Sequence, residues 1–342
     1  MKAIVQNAYG SPAALELREI DRPAITDDGV LVRVHAAALH AGDFFVLSGS
    51  PYLVRFVAGW PKPSNYVPGY DLAGRVEAVG KKASKFHPGD EVFAACNHAC
   101  AEYAIGPESI FALKPANVTF EQAAAVPTSA LAALHGLRDA GKVQPGQRVL
   151  IIGASGGVGT YAVQIAKVLG AEVTGVCSTR NVEMVRSLGA DHVIDYTRED
   201  FARNEMTYDL ILDNVANRSF SECRRALAPS GLHIPNSGRA GMGYVVGAFV
   251  RSIFVRQQGR PYVSMPNHKD MVFLRELVAS GKLKPVIDRI YGLSETPEAL
   301  AYVGEGHVPG KVVITVLKQE PPTEDAVQQH RAADGASRRR CC

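Results

Sequence analysis

The sequence has no cysteine framework, no long apolar run and no strong charge of either sign. Its six cysteines are spread over 342 residues without regular spacing. That excludes a disulfide-stapled secreted scaffold and suits a reducing compartment. No stretch of eighteen apolar residues occurs, and the longest candidate, GMGYVVGAFV at 241–250, runs into Arg251, so no spanning segment and no membrane partner are expected. The N-terminus passes straight from MKAIVQ into an alternating pattern with no signal-peptide core, and the reading is a cytoplasmic protein. A net charge of +3 with scattered basic residues gives no footprint for nucleic acid.

What is present is an ordinary globular balance, 46% hydrophobic and 21% charged, in a chain long enough for two cores. The first hundred residues read as short strands broken by turns: KAIVQ, GVLVRVHAAAL, AGRVEAVG and DEVFAA. From about Val126 strands alternate with helical patterns. RVLIIGA, EVTGVC, HVIDY, YDLILDN and GLHIPNS are strand-like, and helices are expected over 159–170, 180–189 and 218–228. This rhythm predicts an α/β fold with a doubly wound parallel sheet. MVFLRELVASGKL then reads as a helix and KVVITVL as a closing strand, and 320–342 reads as a disordered tail. Its terminal RRRCC is not a lipid-attachment box. The domain division expected is 1–125, 126–265, a return to the first domain at 266–319, and the tail.

The stretch LIIGASGGVGTYAVQIAKVLGA (150–171) carries the clearest chemistry. Gly156 and Gly159 occupy the second and third places of a G-x-G-x-x-G turn, with Ala154 in the first and Gly153 and Gly157 beside them. A strand before the turn, a helix after it and a second strand ending about twenty residues on make it a dinucleotide site. That second strand ends in VCSTRN with no carboxylate. Ser178, Thr179 and Arg180 suit a 2′-phosphate, since arginine binds a dianion bidentately, so the cofactor expected is NADPH.

The order of motifs resembles the medium-chain dehydrogenase/reductase superfamily, in its zinc-free quinone oxidoreductase branch. The resembling pieces include MKAIV, PGYDLAGRVEAVG, FHPGDEVF, AAAVPTSALAAL, VQPGQRVLIIGASGGVGTYAVQIAK, SLGADHVIDYT and GKVVITV, in order over about 320 residues. The resemblance implies a GroES-like β-rich catalytic domain with a Rossmann domain inserted, and an active site in the cleft between them. It also implies cofactor contacts from Thr128 at the nicotinamide end and from Ser155, Gly156, Gly157 and Val158 at the pyrophosphate. Ser178 and Arg180 would lie at the 2′-phosphate, Tyr196 at the adenine-ribose end, and Asn214 and Ser237 on the nicotinamide side. Lys311 would close over the cofactor, and a homodimer is implied.

No metal is expected. Zinc-dependent relatives need three ligands, and the matching places hold His40, Tyr70 with Asp71, and an apolar AAAVPT run. CNHAC at 96–100 lacks a fourth ligand and reads as packing. The aromatic-rich segment LHAGDFFVLSGSPYLVR departs from the family's N-P-x-D by placing His40 and Ala41 where Asn and Pro are common. Asp43 is expected to organise this loop, or only to cap a helix, with His40 or Tyr52 offering a proton or a hydrogen bond to the substrate oxygen. The reaction expected is reduction of quinones or α,β-unsaturated carbonyls. Metal-free aldehyde or ketone reduction and non-catalytic NADPH binding remain alternatives.

Overall fold

In a computed structural model of the chain, the structure describes residues 1–317 apart from Pro51, Leu53, 64–66, 204–205, 238–240 and Arg260. The expected tail and its RRRCC end therefore lie outside the described residues.

Among the described residues the strands form three sheets, a two-stranded one of Lys2–Val5 with Glu16–Glu19 and two large ones. One large sheet is wholly parallel, with five strands in the spatial order His192–Asp195, Glu172–Cys177, Arg148–Ile152, Tyr208–Asp213 and Leu227–Pro235. Its inner strands are near-continuous apolar runs, as Arg148–Ile152 (RVLII) shows, because helices cover both faces and no side of the strand meets water. The other large sheet has seven strands and is mostly antiparallel. Gly29–Leu39 lies at its middle between Lys311–Thr315 and Asp71–Val79, with Tyr103–Pro107 pairing its first half. The strands Ile287–Gly292 and Lys311–Thr315, last in the chain, thus join the sheet built by the first hundred residues. This is a GroES-like β-rich unit joined to a Rossmann-type sheet.

The join is apolar and continuous. Helices Phe120–Ala124 and Pro127–Leu134 wedge between the sheets, so that Ala36, Phe93 and Val313 of one and Val149, Ile151 and Leu212 of the other share one core. Tyr161 lies fully buried there, its hydroxyl donating to the Ala125 carbonyl at 2.9 Å. Emptying such a site costs about 3–5 kcal/mol. After Leu134 the helix widens to a π turn, His135–Ala140. His135 Nε2 meets Asp270 at 2.9 Å and Arg138 donates to the same carboxylate at 2.6 Å, which fastens helix His268–Ala279 to this join. Burial alone would raise the Asp270 carboxyl, but hydrogen bonds from Arg138, Asn267 and His135 overcome it and hold the group well below the usual carboxylate range.

Four sequence readings change in detail. The 159–170 helix is Gly157–Val168, those expected at 180–189 and 218–228 are the shorter Val182–Ser187 and Phe220–Arg225, and GMGYVVGAFV opens a surface helix, Gly241–Phe254.

Candidate active site

The glycine turn meets two backbone requirements, one of them displaced by one residue from the usual first glycine. Gly153, directly after strand Arg148–Ile152, has φ +74°, a conformation that side chains rarely adopt. The left-handed residue of the turn is therefore Gly153, which leaves the next position free to be Ala154. Ala154 is fully buried and donates its N–H to the Val176 carbonyl at 2.9 Å. Gly159 has a different task, close approach: a Cβ there would sit 2.0 Å from the Gly153 carbonyl oxygen. Gly156 is the N-cap of helix Gly157–Val168 and has no side chain to satisfy that helix's first N–H groups. No acidic residue stands in the first turn, so the helix offers unshielded donors and the positive end of its dipole.

A cleft of about 650 Å³ runs from this turn to the opposite sheet. Ser155, Gly156, Gly157 and Val158 line it, as do Ser178, Arg180, Tyr196, Asn214, Ser237 and Lys311. The structure thus brings together all but one of the cofactor-contact residues expected from sequence. The exception is Thr128, whose backbone N–H and hydroxyl both donate to Asp71 Oδ1, at 2.8 and 2.6 Å, while its neighbour Ser129 lines the cleft instead. Thr179 is likewise spent elsewhere, its hydroxyl donating to Asp195 at 2.6 Å.

At the far end of the turn, Asn181 donates to Ser155 Oγ at 3.1 Å and Ser178 Oγ at 3.3 Å, which fixes both hydroxyls. Arg180 reaches across to the His307 carbonyl at 2.8 Å. The walls beyond are held by an amide ladder: Asn236 donates to Asn214 Oδ1 at 2.7 Å, and Asn214 donates to the Ile152 carbonyl at 3.0 Å. Sequence does not single out Asn181, Asn236, Ser129 or His307: the first two are short polar residues after strands, Ser129 lies within helix Pro127–Leu134 and His307 follows helix Thr296–Glu305, and none carries a spacing signal.

Lys311 enters the cleft floor from the closing strand and is about 1% exposed. Its Nζ lies 3.1 Å from Asp71 Oδ2 and 3.2 Å from Ser129 Oγ. A buried ammonium here is tied to a buried carboxylate, which is the arrangement that makes such charges tolerable.

The opposite wall carries His40, Phe44 and Phe45. Asp43 caps helix Ala41–Ser48 by accepting the His40 backbone N–H at 2.8 Å. The carboxylate also faces His40 Nδ1 at 3.5 Å. Burial pushes the Asp43 carboxyl above its ordinary value, and the adjacent His40 side chain and N–H counter only part of that. Among the described residues, Asp43 Oδ1 and His40 Nε2 have no hydrogen-bond partner. The His40 ring stacks on Tyr70 with centroids 5.7 Å apart. Tyr52 does not join them: it is 60% exposed, packs against Trp60 and Arg55, and does not line the cleft.

The donor set at this place does not fit a catalytic zinc. Among the described residues, the groups of three ligand-bearing side chains close enough to share an ion are Asp213, Cys223, His233 and His135, Asp139, Asp270. Neither holds His40 or Asp71, and Asp71 is committed to Lys311 and Thr128. The CNHAC segment forms no such group. Cys96 is buried, its thiol pushed up to about 12 by burial, and it donates to the Ile105 carbonyl.

Comparison with known proteins gives a consistent picture. The alcohol dehydrogenase GroES-like domain family matches residues 26–179, and the zinc-binding dehydrogenase family matches 188–314. The chain is 33% identical to the chloroplast envelope quinone oxidoreductase homolog of Arabidopsis thaliana over 332 residues, covering 92% of this chain and 98% of that protein. It is 34% identical to the NADPH-dependent alkenal/one oxidoreductase of the same plant, over 92% of this chain and 79% of that one. The solved quinone oxidoreductase from Coxiella burnetii superposes with a TM-score of 0.82 at 30% identity, over 93% and 99% of the two chains.

Proposed function

The chain belongs to the medium-chain dehydrogenase/reductase superfamily, in its quinone oxidoreductase branch, and from that premise we propose that it reduces quinones and α,β-unsaturated carbonyls with NADPH and without a catalytic metal. It is an oxidoreductase, and its relatives named for quinones and for alkenals and alkenones support this substrate class. The observation that carries the reading is one cleft joining the glycine turn to the His40–Phe45 wall.

When bound, the nicotinamide would supply a hydride to the electrophilic carbon of the conjugated system. The chain's own groups do the rest. The N–H groups of the Gly156 turn hold the pyrophosphate. Ser178 and Arg180 take the 2′-phosphate, and the absence of a carboxylate at the end of strand Glu172–Cys177 favours NADPH over NADH. Asn214, Ser237, Lys311 and Ser129, which line the same cleft, would hold the nicotinamide end. Phe44 and Phe45 give a flat apolar wall suited to a conjugated substrate. His40 hydrogen-bonds the substrate oxygen through Nε2, and Asp43 holds the loop and faces Nδ1. The hydride would bring two electrons and one hydrogen, and a proton from solvent completes the reduction; the negative charge that develops on the substrate oxygen in between is spread by conjugation, so one hydrogen-bond donor serves where an unactivated ketone needs a Lewis acid.

The test is NADPH oxidation measured in parallel on a quinone, an α,β-unsaturated ketone and a simple aldehyde, with and without chelator. Turnover of the first two, unaffected by chelator and reduced on the order of a hundredfold in His40→Phe, is expected. Chelator sensitivity or an aldehyde preference would contradict the metal-free reading, and no turnover with any acceptor would favour non-catalytic cofactor binding.

A further inference from the structure

Helix Gly241–Phe254 is a surface element whose outward face is apolar. Val246, Phe249, Val250 and Ile253 follow at the i, i+3, i+4, i+7 spacing of one helical face and are 46–58% exposed, and Phe254 at its end is 80% exposed. The inward side is anchored: Ala248 is fully buried, and Arg251 stacks over Phe220 and donates to Gln258. A stripe of this kind on a folded surface needs an occupant.

Charge indicates which. From Cys223 to Lys269 the chain carries seven basic residues and no acidic one, although the whole chain is only +3. Arg256, just past the helix end, is exposed and forms no ion pair among the described residues. Arg224, also exposed, is brought beside the helix end by its hydrogen bond to Gln257 at 2.7 Å. An apolar stripe flanked by uncompensated arginines is complementary to an anionic lipid surface, where the stripe enters the acyl boundary and the guanidinium groups stay at the headgroups.

We propose that helix Gly241–Phe254 docks the protein on anionic membrane surfaces. The helix lies in the interface and does not cross it: among the described residues no helix is long and apolar enough to span. The sequence expectation of no membrane partner rested on the lack of a spanning segment, and a surface helix escapes that criterion. The inference stands independently of the reaction assigned to the cleft.

The experiment is flotation of the full chain with phosphatidylcholine vesicles and with vesicles containing about 30% phosphatidylglycerol, alongside light scattering for mass in solution. Binding to the anionic vesicles only, weakened by about 0.5 M salt, is expected. It should fall about tenfold or more in Phe249→Glu/Ile253→Glu and measurably in Arg256→Gln, with turnover of a water-soluble quinone unchanged in both. Substituting Arg338, Arg339 and Arg340 together by Glu controls for the basic terminus and should leave binding intact. Absence of vesicle binding, binding retained in the double variant, or binding lost only in the terminal variant would each overturn the proposal. So would a dimer that the double variant splits without any vesicle binding, which would make the face a contact between copies.

Discussion

Lys311 and Asp71 lie 240 positions apart in the chain and 3.1 Å apart in the fold, in a buried ion pair at the floor of the cleft. The pair ties the closing strand to strand Asp71–Val79, and Asp71 in turn fixes Thr128 at the start of helix Pro127–Leu134. Removing one partner leaves the other charge buried without its counter-ion. Lys311→Met is expected to lower unfolding stability by about 3–5 kcal/mol, while Lys311→Met with Asp71→Asn should recover most of it. Denaturant melts of the three proteins check this, and a double variant no better than the single would contradict it.

The glycine turn separates into a folding position and a binding position. A Cβ at Gly159 meets the Gly153 carbonyl at 2.0 Å, whereas at Gly156 the nearest such atom is 3.5 Å away. Gly159→Ala should therefore lower the melting temperature, at a cost of about 1–3 kcal/mol. Gly156→Ala should fold normally but raise the KM for NADPH by about tenfold, because the methyl group stands where the phosphate approaches. Calorimetry and steady-state kinetics on both variants distinguish the roles.

The proposed preference for NADPH rests on Arg180. Arg180→Ala is expected to raise the KM for NADPH by tenfold or more, roughly, through loss of a charge-assisted contact to the 2′-phosphate, and to leave the KM for NADH nearly unchanged. Equal effects on the two would mean that the guanidinium serves only to hold the His307 loop across the cleft.

Asp270 makes the stability of the domain join sensitive to acid. Its carboxyl is depressed below the ordinary 3.8, so the stabilisation is full above about pH 4 and is lost as pH falls through the folded-state value. Asp270→Asn should cost about 1–2 kcal/mol at pH 7, where it breaks contacts to Arg138 and His135. That gap should narrow in strong acid, and a gap of constant size down to about pH 1 would contradict the assignment.

These residues differ in how far sequence alone could reach them. The turn at 153–159 was legible because an apolar strand, clustered glycines and an amphipathic helix follow one another without interruption. The parallel sheet was legible for the same reason, since each of its units is local. Asp71 and Lys311 appeared in recognisable motifs, but their pairing is a product of topology that no local pattern encodes. Thr128 was placed at the nicotinamide by resemblance, while its commitment to Asp71 depends on that same long-range contact. Tyr52 fitted the chemistry of a proton donor, yet exposure beside Trp60 is decided by how its loop folds. The apolar run at 241–250 was weighed only as a spanning segment, and its second option, an amphipathic surface helix, emerges only once the buried side of Ala248 and Arg251 is known.

The most direct measurement follows the hydride itself. NADPH deuterated at both C4 positions should be oxidised with an α,β-unsaturated ketone, and the product analysed by NMR. Deuterium at the β-carbon, with a solvent-derived proton at the α-carbon and the carbonyl intact, is the result expected. Deuterium on the carbonyl carbon of an allylic alcohol would contradict the account, because the enzyme would then be an alcohol dehydrogenase in its chemistry as well as in its fold.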